Sequence, residues 1–124
     1  VLAPVENTIF HILSNFGVLL EEVPMISYDY FKERIEESSA DRKLTLLKTL
    51  LQTMGWGVVR ILQETPTLSI DIQNPPYGLQ PENDNWTFLA NTILGYLWLL
   101  DREFRIEKMV DSNKRLTITY TTAS

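Results

Sequence analysis

The sequence predicts an α+β fold: N-terminal helices and one buried helix packed on a four-stranded antiparallel sheet, in the order ααα-ββ-α-ββ. Three observations carry this. Apolar residues recur at helical spacing in three N-terminal stretches. Two pairs of short, β-branched stretches each read as a hairpin. Between the hairpins lies a stretch apolar nearly all round, the mark of a helix buried nearly all round. A sheet of this kind cannot cover its own face, so the helices are expected to pack on one side of it.

In residues 5–20, Val5, Ile9, Ile12, Leu13, Phe16 and Leu20 line one helical face, and Pro4 suits the first turn. Glu21-Glu22-Val23-Pro24 is expected to break that helix. Ser27 then caps a second helix over residues 27–37. Its inner face is Tyr28, Phe31 and Ile35; Asp29, Lys32, Glu33, Glu36 and Glu37 point outward, with Lys32 and Glu36 one turn apart. Ser38 followed by Asp41 resembles a capping box for a third helix. That helix carries Leu44, Leu47, Leu51 and Met54 on one stripe, and Gly55 supplies a left-handed C-terminal cap.

Val58–Glu64 and residues 68–73 form the first hairpin around Thr65-Pro66-Thr67. Leu68, Ile70 and Ile72 alternate with Ser69, Asp71 and Gln73, so one face is expected to be buried and the other wet. Residues 74–85 form a long proline-bearing loop, a length often tied to function. The fourth helix, residues 86–100, turns Trp86, Leu89, Ile93, Leu97 and Leu100 to one side and Phe88, Leu94, Tyr96, Trp98 and Leu99 to most of the rest. It is too short to span a bilayer. Thr87, Asn91 and Gly95 make a narrow stripe of small residues, where another helix, a second subunit or a ligand can approach the backbone. Residues 104–110 and 116–122 form the second hairpin around Asp111-Ser112-Asn113.

A chain of 124 residues is one domain, residues 1–124. It begins with Val1 and shows no signal segment, so a domain cut from a longer protein is expected, with the cytoplasm as its setting. The net charge of −5 argues against direct nucleic-acid binding and against docking on an anionic membrane. The absence of cysteine excludes disulfides, thiolate metal sites and cysteine nucleophiles.

No catalytic pattern is visible. The one histidine, His11, has no partner at metal-ligand spacing and reads as a boundary residue. Glu33, Glu36, Glu37 and Asp41 lack the spacing of a calcium loop and read as a solvated helix face. Pro81-Glu82-Asn83-Asp84 reads as a polar loop with a helix cap. Gly55-Trp56-Gly57 is a helix-to-strand corner, not a phosphate loop, and no serine sits in a nucleophile elbow. No metal and no cofactor are expected. The aromatic residues Trp56, Tyr77, Trp86, Phe88, Tyr96 and Trp98 gather around the loop and the fourth helix. They read either as a core with aromatic caps or as a pocket between that helix, the first helix and the sheet. The expected ligand residues are Phe16, Trp56, Tyr77, Trp86, Leu89, Asn91, Ile93, Tyr96 and Leu97, with Asn91, Tyr96 or Thr87 as polar contacts.

Gly55-Trp56-Gly57, the first hairpin, Asn74-Pro75-Pro76, a helix centred on Gly95, Glu107 on the next strand and a final Leu116-Thr117-Ile118 strand together resemble the 4-vinyl-reductase domain. Members of that family are also described as hydrocarbon-binding proteins and share their fold with transport-particle (TRAPP) subunits. The resemblance covers residues 54–120 in detail and the N-terminal helices in outline. It implies a small-molecule-binding or sensory domain of a prokaryotic regulatory protein that tends to dimerise. Cysteines frequent in the family are missing here, where Met109 and Lys114 occupy the region, and His11 does not match a haem ligand. Two readings follow: a non-enzymatic domain holding an apolar small molecule beside the fourth helix, or a homodimerisation scaffold without a ligand. Leu44, Leu47 and Leu51, or the Thr87/Asn91/Gly95 stripe, would serve the second.

Overall fold

The structure, a computed structural model, describes residues 20–35, 37–74, 84–112 and 114–123. A 3-10 turn, Leu20–Glu22, leads into α1, Val23–Arg34. α2, Ala40–Thr53, is followed by the hairpin β1, Val58–Glu64, and β2, Thr67–Gln73. α3, Asp84–Leu97, precedes the second hairpin of β3, Arg105–Asp111, and β4, Arg115–Thr121. The sheet is antiparallel throughout, in the order β1-β2-β4-β3. The fold is α+β, as the sequence predicts. The helix predicted over residues 5–20 lies outside the described residues except for Leu20.

The start of α1 departs from expectation. Val23 and Pro24 open the helix instead of breaking it. A proline in the first turn has no ladder hydrogen bond to lose, so it starts a helix as readily as it stops one. The shift changes the inward face. Val23, Pro24 and Ser27 are buried, while Tyr28, Phe31 and Ile35 are only half-buried. Ser27 is no cap; its hydroxyl donates to the Thr92 carbonyl on α3 at 2.6 Å. The cap of α2 also moves by one residue: Ser39, not Ser38, accepts from the Arg42 amide at 3.2 Å.

The far end of α2 closes as read. Gly55 adopts φ 86°; its amide donates to Gln52 O, and the Trp56 amide donates to Leu51 O, both at 3.1 Å. These two bonds satisfy the last carbonyls of the helix. Gly57, at φ 104°, is a glycine for a second reason: a Cβ there would sit 2.3 Å from Gln73 O. The Gly55-Trp56-Gly57 corner thus turns the chain from α2 into β1 and presses it on the end of β2.

The core lies between the helices and one face of the sheet. Leu68, Ile70, Ile72, Leu116, Ile118 and Tyr120 meet Leu44, Leu47 and Leu51 of α2 and Leu89, Ile93 and Leu97 of α3. α1 rides on α3, not on the sheet. It crosses at Gly95, where a Cβ would lie 2.3 Å from Pro24 O and 2.6 Å from the Ser27 side chain. Of the three approaches the small-residue stripe allowed, the structure shows another helix. α3 ends at Leu97, three residues before the predicted end; Leu99 and Leu100 bond back to Tyr96 and Leu97 in tighter turns. Asp101 stops the chain there, its carboxylate accepting from the Glu103 amide at 2.9 Å.

The outer face of the sheet is drier than alternation predicts. Asp71, Thr119 and Thr121 are buried, although they point away from the core. They sit on the two inner strands, where longer neighbours close over short side chains. Arg115 covers Asp71 with a bidentate pair at 2.6 and 2.7 Å. That pair raises the Arg115 pKa, through the hydrogen bond first and the charge second.

Candidate functional site

A small apolar niche opens where α1, α2 and α3 meet above the Trp56 corner. Each wall follows from the folding of its element. The apolar stripe of α2 contributes Leu47, Leu51 and Met54, and Leu50 stands beside them. α3 contributes Phe88, Leu89, Thr92, Ile93 and Tyr96, residues that share a face at helical spacing. Phe31 of α1 closes one end, its ring standing edge-on to Tyr96 at 5.1 Å. Trp56 is held below by the turn at Gly55 and is buried.

Of the ligand residues expected from sequence, Trp56, Leu89, Ile93 and Tyr96 converge on this niche. Leu97 does not: it is fully buried in the core against the sheet. Asn91 does not line it either, and its side-chain amide donates along its own helix to Thr87 O at 2.8 Å. Phe16 and Tyr77 lie outside the described residues. Trp86 is in the first turn of α3, with its side chain outside the described part. Phe31, Leu47, Leu50, Leu51, Met54, Phe88 and Thr92 line the niche without having been expected as ligand residues. The α2 stripe was the signal for three of these, Leu47, Leu51 and Met54, since a helix ending at the Trp56 corner must place its apolar face beside it.

The Tyr96 and Thr92 hydroxyls beside the niche are engaged with main chain. Tyr96 Oη donates to Lys43 O at 2.6 Å, and burial pushes its pKa up to about 12. Thr92 Oγ1 donates to Phe88 O at 2.9 Å. The polar contacts expected of Asn91, Tyr96 and Thr87 toward a ligand therefore go to helix carbonyls or stay off the niche. The niche measures about 30 Å³, room for one or two water-sized probes. Ligand pockets are usually far larger, about 300–1,000 Å³.

Elsewhere the acidic residues behave as a solvated face. Glu37 is exposed and 3.8 Å from Lys43 Nζ, and Glu33 stands 3.8 Å from Arg34. Glu36 and His11 lie outside the described residues. Among the described residues no group of His, Cys, Asp or Glu is placed to hold a metal ion, and no helix is long and apolar enough to cross a membrane. No family model matches the chain, and no curated protein matches it.

Proposed function

We propose that this chain is a non-enzymatic binding domain that works by self-association, as a homodimer serving a cytoplasmic regulatory protein. The observation that supports this reading is where the apolar surface goes. The helical faces that could have met a partner, Leu44, Leu47, Leu51 and Gly95, are closed inside the chain. Large apolar side chains are left out on the edge strand β1, with Val58 54% and Leu62 49% exposed, besides Met25, Ile26 and Tyr30 on α1, Leu46 on α2 and Val110 on β3. Half-exposed leucine and valine on an edge that pairs with no described strand invite association. The motif order that resembles the 4-vinyl-reductase domain implies the same tendency.

A second reading, an apolar small-molecule site, is favoured by the convergence of Trp56, Leu89, Ile93 and Tyr96 on one niche. Room for such a molecule must come from the half-buried Met54, Leu50 and Phe88 side chains swinging away. Native mass spectrometry of freshly purified protein, compared with the same sample denatured, separates the readings. The expected result is a dimer without adduct. A monomer carrying mass that is lost on denaturation would replace the first reading by the second.

A further inference from the structure

The two edges of the sheet are not alike. β3 carries Arg105, Glu107 and Lys108, all exposed, and its register with β4 shifts between Ile106 and Lys108. Charge and a bulge are the usual guards of a strand edge. β1 carries charge as well, at Arg60 and Glu64, but no bulge: its register with β2 is unbroken from Val58 to Glu64, and it holds no proline.

The geometry points to a specific occupant. We propose that the outer edge of β1 pairs antiparallel with β1 of a second copy of this chain, about a two-fold axis at Leu62; this rests on the homodimer reading above. The hydrogen-bond phase follows from one contact. The Val59 amide points away from β2, because it donates to Gln52 Oε1 at 3.1 Å. Edge-facing residues alternate along an antiparallel strand, so Ile61 and Gln63 also turn their N–H and C=O outward. No described residue pairs with them there. Centring on Leu62 sets Ile61 opposite Gln63 of the second copy, and the reverse, so all four outward groups find partners in both chains. Centring on Ile61 would require the Val59 amide, which Gln52 already holds. Centring on Gln63 would set Leu62 against Glu64.

The side chains agree with the Leu62 register. On the outer face it places Leu62 against Leu62 and, on either side, Arg60 against Glu64. Arg60 and Glu64 are both exposed, and neither is in an ion pair with a described residue. Opposite charges directly across a strand pair stabilise it. On the inner face, Ile61 and Gln63 of the second copy enter an open groove of about 320 Å³ between α2 and β1, floored by Leu44 and Ile61 and rimmed by Asp41 and Lys48. The product is one continuous sheet through both copies, ending on the two guarded β3 edges.

The chain has no cysteine, so a single introduced thiol reports position cleanly. In this register Leu62 faces its own copy at a non-hydrogen-bonded site, where Cα atoms stand about 4.5 Å apart, within disulfide reach. Leu62→Cys is expected to form a covalent dimer under mild oxidation. Val110→Cys, on the other edge and equally exposed at 49%, is expected to form no covalent dimer. Arg60→Glu is expected to weaken the dimer about tenfold, and Arg60→Glu with Glu64→Arg to restore it. A dimeric wild type whose Leu62→Cys variant does not cross-link, or whose Val110→Cys variant cross-links as well, would overturn the β1 interface and leave the homodimer reading standing. A wild type that is monomeric and does not cross-link through Leu62→Cys would overturn both.

Discussion

Three buried hydroxyls hold the layers of this molecule together. Ser27 donates from α1 to Thr92 O on α3, Tyr96 from α3 to Lys43 O on α2, and Tyr120 from β4 to Ala90 O on α3. Each acceptor is a helix carbonyl already bonded along its own helix, so each hydroxyl uses the second lone pair. Losing one leaves no carbonyl orphaned, which sets the loss at the low end. Tyr96→Phe is expected to destabilise by about 1 kcal/mol in chemical denaturation. Burial pushes the Tyr96 pKa up to about 12 and raises that of Tyr120 also. The folded state therefore holds these protons more tightly than the unfolded chain does. Their contribution is complete below pH 10, the ordinary tyrosine value, and is lost as pH rises toward about 12. Alkaline unfolding should coincide with tyrosine ionisation in absorbance, and Tyr96→Phe should move the midpoint upward. The hydroxyls were not legible in the sequence: periodicity places Tyr96 and Tyr120 in the core but names no carbonyl. Asp71 misled for a related reason. Its place in the alternation predicts a wet side chain, and the cross-strand neighbours Arg115 and Thr117, which both donate to it, make its burial tolerable. Arg115→Ala is expected to destabilise by about 1–3 kcal/mol by stranding that carboxylate, with Asp71→Asn in the same background recovering part of the loss.

At the level of elements, the sequence was most readable where a residue has one physical use. Gly55 and Gly57 marked a corner, and both occupy backbone or space that a side chain cannot. The strands fell within a residue of their predicted ends because β-branched alternation has a sharp period. It was least readable where a residue has two uses. Pro24 can end a helix or begin one, and Ser38 and Ser39 are equal as caps until the chain direction is known. The apolar run of α3 continues past its end, so nothing in composition separated Leu97 from Trp98–Leu100. There the sequence placed a helix and the structure places a turn, held by Trp98 Nε1 on Phe104 O and by Arg102 stacked on Trp98 and Tyr28. The crossing of α1 and α3 depends on Gly95. Gly95→Ala drives a methyl into the Pro24 carbonyl, a backbone atom that cannot swing aside. Destabilisation by more than about 2 kcal/mol is expected, measured as a lower midpoint in thermal unfolding. Ala90, buried against the sheet on the same helix, shows that small size alone is tolerated there; what Gly95 alone lacks is a Cβ facing α1.

At the level of the whole molecule, the candidate site was half legible. Trp56, Leu89, Ile93 and Tyr96 could be grouped because one helix face and one corner must meet. Asn91 and Leu97 could not be excluded without the crossing angle, which turns one along its own helix and the other into the sheet. What the sequence did not show was size: pattern tells which residues are apolar, not whether they touch. They nearly do, and the niche of about 30 Å³ is closer to a packing defect than to a ligand pocket. Part of the apolar surface that remains open lies on the edge strand β1, beside charges that match their own copies. Self-association is thus the central claim, and sedimentation equilibrium over a concentration series tests it most directly. A 14.4 kDa chain is expected to approach twice that mass as concentration rises through the micromolar range. A mass that stays at 14.4 kDa at every concentration would contradict it.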